Sequence, residues 1–213
     1  MMKNDERYTK YSAFSFWEKK TYYNQIYVFL KWLNLEYPGF NTWYDNLFTE
    51  NKELKSGREI IICEKEYSIA GIAILKSTEE EQKICTLRVA KRYQRQGIGK
   101  RLMELSFEWL QNDKPLLTMH STKQHQFRHL MQYYGFELDQ KNRNYYNIFS
   151  TELVYNGVLP AKKILFNRLE RIDIDLFYKK YVSEGKYDLS EFVEACIHCW
   201  YIREQQRRIV MAK

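Results

Sequence analysis

The chain has 213 residues, 45% apolar and 16% aromatic, enough for one sizeable core and too apolar for a disordered chain. Its 34 Lys and Arg against 27 Asp and Glu give a formal net charge of +7, which permits a nucleic-acid partner without requiring one. No apolar run reaches the ~20 residues of a membrane helix, the N-terminal "MMKNDERYTKYSAFSFWEKK" lacks the apolar centre of a signal peptide, and the cysteines make no disulfide framework, so no membrane contact and a cytoplasmic location are expected.

Residues 15–36 predict a helix, because Phe16, Tyr23, Ile26, Tyr27, Leu30 and Leu33 recur at helical spacing. Pro38-Gly39 breaks it, and residues 41–54 predict a second, shorter helix. "REIIICEK" and "YSIAGIAILKS" are β-branched runs joined by a short turn from Glu64 to Tyr67, which predicts a hairpin. "KICTLRVA" predicts a third strand with Cys85, Leu87 and Val89 on one face. "GKRLMELSFEWLQ" predicts a helix, "PLLTMHS" a strand, and residues 124–134 a helix stopped by Gly135. Two closing strands, "GFELDQ" and "YYNIFSTELVY", are expected to turn around Lys141 to Asn144. Asn156-Gly157 and Pro160 mark a boundary. Beyond it, residues 161–182 and 190–210 predict two helices, with Ser190 as N-cap of the second.

The element order is that of an α+β fold: a mixed, mostly antiparallel sheet flanked by helices, over residues 1–157, with a C-terminal helical extension over 158–213. Three roles are open to the extension: covering a cleft, enlarging the core, or making a homodimer contact. His125 and His129 share a helix face, but two ligands do not make a zinc site, and "CIHC" at 196–199 fits helix packing, so no metal is expected.

One stretch stands apart. In "YQRQGIGKRL", residues 93–102, two glycines lie among positive charges between a strand and a helix. From Arg88 to Met103 there are six basic residues and no acidic one. A glycine turn entering a helix leaves backbone N–H groups unpaired and lets a phosphate come close. A Walker A loop is excluded, because Gln94 stands at its first glycine position and Arg101 at its Ser/Thr position. A dinucleotide fingerprint is excluded by Leu102 at its third glycine position.

The segment "LRVAKRYQRQGIGKRLM" resembles the acetyl-CoA-binding motif of the GNAT superfamily of N-acetyltransferases. Gln94-Arg95-Gln96-Gly97-Ile98-Gly99 matches its fixed positions, and a helix running into Gly135-Phe136 is a second feature of that family. The resemblance covers roughly residues 57–156. It implies that amides of the Gln94, Arg95, Gln96, Gly97, Ile98, Gly99 and Lys100 stretch hold the CoA pyrophosphate. It implies further that the backbone at Leu87 and Val89 pairs with the pantetheine arm, and that acetyl-CoA enters as co-substrate.

The implied reaction is direct acetyl transfer from the thioester to an amine on a small molecule or a protein. Many family members protonate the departing thiolate with a tyrosine four residues before the Gly of Gly-Phe; here that residue is Met131. Tyr134 lies about 60° around the helix from Met131 and is expected to replace it as the acid. No base is assigned. Two other readings stay open: a catalytically inactive acyl-CoA-binding module whose tail recruits a partner, and a toxin that acetylates aminoacyl-tRNA.

Overall fold

The computed structural model describes residues 6–35, 37, 39–143, 145–146 and 151–159. The two helices expected after Pro160, and the "CIHC" stretch, lie outside the described residues.

The centre of the molecule is a seven-stranded sheet in the order β1-β2-β3-β4-β5-β7-β6. Its strands are β1 (Arg7–Lys10), β2 (Arg58–Lys65), β3 (Ser68–Ser77), β4 (Gln82–Val89), β5 (Leu116–His120), β6 (Leu138–Arg143) and β7 (Thr151–Tyr155). All neighbours are antiparallel except β4 and β5. This is the mixed, mostly antiparallel sheet expected from the sequence. β1 was hidden there by its charged flanks; Arg7 ties it to β2 through an ion pair with Glu64 at 2.6 Å.

Helices cover both faces. On one lie α1 (Phe16–Leu30) and α2 (Phe40–Asp45), whose Ile26, Leu30, Phe40 and Tyr44 pack on Ile60, Ile62, Ile72 and Ile74. The Ser15 N–H donates to the Glu18 carboxylate at 2.8 Å and closes the start of α1. α2 is shorter than the 41–54 periodicity predicts. Leu47 and Phe48 are buried through turns instead, and Lys52 has φ 64°, which an α-helix cannot accommodate. On the other face lie α3 (Ile98–Leu110) and α4 (Gln124–Tyr133), packed over Ile61, Ala73, Leu75, Ile84, Leu117, Met119 and Leu153.

The β2–β3 hairpin closes through Glu66 and Tyr67, at φ 52° and 58°, with Lys65 opposite Ser68. Both left-handed values belong to a two-residue turn that matches strand twist. β6 runs on through Arg143, across the stretch expected to turn.

The strand that leads to the glycine turn departs most from expectation. Ile74 pairs with Thr86 and Leu75 with Ile84, so Cys85 is an extra residue in β4. This β-bulge shifts the alternation. Cys85 packs with the α1–α2 core, whereas Leu87 and Val89 pack with the α3–α4 core. The three do not share a face, as simple alternation predicted. Pairing of β4 with β5 stops at the same place: only Lys83 with Leu116 and Ile84 with Leu117 are in register.

Candidate active site

The bulge and the short β4–β5 pairing make one feature. Downstream of Ile84, β4 keeps its ladder with β3 as far as Val89 opposite Gly71, while β5 turns to pair with β7 from Leu117 to His120. The two parallel strands therefore part. The edge of β4 that faces β5 around Leu87 and Val89 carries backbone groups without a β5 partner.

The chain leaves β4 through a 3-10 turn at Lys91–Tyr93 and enters α3 at Ile98. The connection is held from within. Gln94 Nε2 donates to the Val89 carbonyl at 3.1 Å, and Gln96 Nε2 to the Arg92 carbonyl at 3.0 Å. Lys65 Nζ, from the hairpin, donates to Gln96 Oε1 at 2.9 Å, and Arg92 to Ser68 Oγ at 2.6 Å. Arg95 adopts φ 62°, a left-handed conformation that costs a non-glycine residue about 1–2 kcal/mol. These contacts fix the loop that the sequence singled out.

Gly97 is the N-cap of α3, at φ 92°. It offers no side chain to the helix start, and the first turn contains no acidic residue. The first helical bond across the cap runs from the Arg101 N–H to the Gly97 carbonyl at 3.0 Å. The amides of Ile98, Gly99 and Lys100 precede it, as the first N–H groups of any helix do. A Cβ on Gly97 would meet nothing within 4 Å, and one on Gly99 would meet only Val89 Cγ2 at 3.7 Å. Neither glycine is there to admit a neighbour of this chain. The contrast is Gly71, where a Cβ would lie 2.9 Å from Leu102 Cδ1 and 3.0 Å from Ile98 Cγ2; that glycine lets α3 sit close on the sheet.

The side chains at the helix start divide. Ile98 is 1% exposed, so its side chain anchors α3 in the core while its amide faces the loop side. Arg101 turns back along the helix to Glu104 and Glu108 at 3.3 and 3.4 Å. Lys100 Nζ donates to the Tyr133 hydroxyl at 3.1 Å and lies 4.3 Å from its ring centroid. That contact raises the Lys100 ammonium above its ordinary range, first through the hydrogen bond to Tyr133. The structure thus brings Tyr133 to the start of α3, beside the glycine turn.

Met131 is 4% exposed and belongs to the α3–α4 core, where a thioether packs and donates no proton. Tyr134 is the C-cap of α4. Its ring packs edge-on to Phe107 at 5.0 Å, and its hydroxyl donates to Glu104 Oε1 at 3.3 Å. Burial, then the Glu104 charge, pushes the phenol up to about 12, so it stays protonated at neutral pH.

On the α1–α2 side of the parted strands, Cys85 accepts from the Arg58 guanidinium at 3.5 Å, and burial pushes its thiol up. His120 ends β5. Its Nδ1 receives the Thr122 N–H at 3.3 Å and lies 2.7 Å from Thr122 Oγ1. Glu152 stands opposite it on β7 and is wholly buried. His120 closes the "PLLTMHS" segment that the sequence predicts as a strand; Glu152, inside "STELVY", gave no signal there. Among the described residues no group of His, Cys, Asp and Glu could hold a metal ion, and no helix is long and apolar enough to cross a membrane.

The profile of the acetyltransferase (GNAT) domain matches residues 35–152. Solved structures share the fold. A GNAT-family acetyltransferase from Desulfovibrio desulfuricans superposes with a TM-score of 0.55 at 13% identity, over 70% of this chain and 96% of its own. One from Streptococcus pneumoniae gives 0.50 at 17% identity, over 70% and 97%. One from Elizabethkingia anophelis, solved with acetyl-CoA bound, gives 0.49 at 17% identity, over 72% and 97%. No curated protein matches the chain.

Proposed function

The chain belongs to the GNAT acetyltransferase family, and on that premise we propose that it transfers an acetyl group from acetyl-CoA directly to an amine. The observation that carries this reading is the meeting of two features: the β4 edge that β5 leaves after the bulge, and the glycine-capped start of α3 beside it. The first suits an amide-bearing arm that adds like a strand. The second suits a diphosphate, since it offers free amides, no competing carboxylate and empty space at both glycines.

In the proposed reaction the amine nitrogen attacks the thioester carbonyl carbon. A C–N bond forms and the C–S bond breaks. The amine gives up a proton to solvent or a base, and the departing thiolate gains one. The carbonyl oxygen gains negative charge on the way, and a backbone N–H of the Leu87–Val89 stretch is the group placed to receive it. The phenol of Tyr134, held protonated, is the assigned acid. Lys100 and Tyr133 frame the diphosphate end.

The test is an acceptor panel. The full chain is mixed with acetyl-CoA and amines, and CoA thiol release is followed. Amine-dependent release with an acetylated product supports the proposal. Calorimetric binding of acetyl-CoA without release across the panel would instead mark a binding module.

A further inference from the structure

We propose that Lys65, from the β2–β3 hairpin, is a positioning residue for acetyl-CoA: through the Gln96 side chain it holds the glycine turn in the shape that receives the diphosphate. The proposal rests on the acetyl-CoA reading above and names what in this chain prepares the turn before the donor arrives.

The turn holds an unfavourable backbone. Arg95 is left-handed at φ 62°, and Gly97 follows at φ 92°. For Arg95 that conformation carries a steric penalty which its surroundings have to offset. The glutamines on either side do so. Gln94 Nε2 donates to the Val89 carbonyl, at the end of a central strand. Gln96 Nε2 reaches only back to the Arg92 carbonyl, in the 3-10 turn of the same connection. The hold of Gln96 therefore depends on what steadies Gln96 itself.

Lys65 steadies it. Its Nζ donates to Gln96 Oε1 at 2.9 Å. An ammonium donates and never accepts, so it takes the amide oxygen and turns Nε2 toward the Arg92 carbonyl. A flipped amide would set Nε2 against the ammonium and Oε1 against a carbonyl. One contact thus decides both ends of the Gln96 amide. Lys65 is itself fixed: Nζ also donates to Glu6 Oε1 at 3.0 Å and lies 5.8 Å from the Tyr93 ring centroid, and its side chain is 14% exposed. Its charge is answered by Glu6, so the residue is not a loose cation waiting for a phosphate.

The rest of the hairpin closes on the same stretch. Arg92 donates to Ser68 Oγ at 2.6 Å and stacks 4.6 Å from the Tyr93 ring centroid. The Tyr93 hydroxyl donates to Glu66 Oε2 at 3.1 Å. Residues 65–68 lie along the turn as a splint. A ligand that meets a turn already in its bound shape does not have to order it, so losing the splint weakens donor binding.

The experiment compares the full chain with Lys65→Met, Lys65→Arg, Gln96→Met and the double variant Lys65→Met with Gln96→Met. Calorimetry gives the acetyl-CoA Kd, which needs no amine acceptor. The expected Kd is at least about fivefold higher in Lys65→Met and within about twofold of the parent in Lys65→Arg. In the double variant it is within about twofold of Gln96→Met alone, because the two residues act as one unit. An unchanged Kd in Lys65→Met overturns the proposal, whatever happens to its urea midpoint. So does a Lys65→Met effect that persists in full beside Gln96→Met, since Lys65 would then act on the phosphates or the fold without Gln96. Either result leaves the acetyl-CoA reading intact; a parent chain that binds no acetyl-CoA overturns both. Should Lys65→Met fail to fold, Gln96→Met decides, because Gln96 is exposed: an unchanged Kd overturns the proposal, and a fivefold rise supports it.

Discussion

A Cβ added to Gly99 would lie 3.7 Å from Val89 Cγ2, an ordinary contact, and would touch nothing else of this chain. Gly99 also has no left-handed φ. Neither packing nor backbone geometry calls for glycine there, which leaves an approaching ligand. Gly99→Ala therefore separates fold from binding. Alanine favours a helix over glycine by up to about 1 kcal/mol, so thermal stability should hold or rise. Acetyl-CoA affinity should fall at least tenfold by calorimetry.

Gly71→Ala is expected to do the reverse. The added methyl would meet Leu102 Cδ1 at 2.9 Å, Ile98 Cγ2 at 3.0 Å and the Arg88 carbonyl at 3.3 Å. Lifting α3 from the sheet should cost about 1–3 kcal/mol, read as a lower urea midpoint.

Tyr134→Phe removes the hydroxyl that donates to Glu104 and keeps the ring against Phe107. Stability should change by less than about 1.5 kcal/mol. If the phenol protonates the thiolate, kcat should fall about 10²-fold with little change in the KM for acetyl-CoA. Unchanged turnover would remove Tyr134 from the mechanism.

Several phenols titrate late in the folded chain: burial, more than any neighbouring charge, pushes Tyr22, Tyr23 and Tyr134 up to about 12. Above the ordinary value of about 10 the unfolded chain gives up these protons while the folded chain keeps them. The folded state then binds more protons, so stability falls as pH rises. Its contribution is complete below about pH 10 and is lost as pH climbs towards 12. The urea midpoint should be lower at pH 11 than at pH 9.

The glycine turn was legible because its signal is local. "QRQGIG" places two glycines and the helix start within one short stretch, and the strand-turn-helix order around it survives in the structure. The surroundings of His120 were not. His120, Glu152, Tyr37 and Tyr146 come from four separate segments, joined only by sheet register and ring contact. The face of Cys85 was misread for a related reason: a bulge is a property of two strands, and one strand's alternation does not show it. Tyr133 carried no local sign of its contact, because the lysine that reaches its hydroxyl comes from another helix.

The bulge carries a consequence of its own. It lets Ile84 and Leu87, three residues apart, meet the same α3–α4 layer, whatever residue fills the extra place. Side-chain identity at Cys85 should be cheap to change. Deleting it would restore plain alternation, with Leu87 still opposite Ala73 and Val89 opposite Gly71 under α3, and would remove the bend at which β4 leaves β5. The extra letter changes where the strand heads, not which layer its side chains meet.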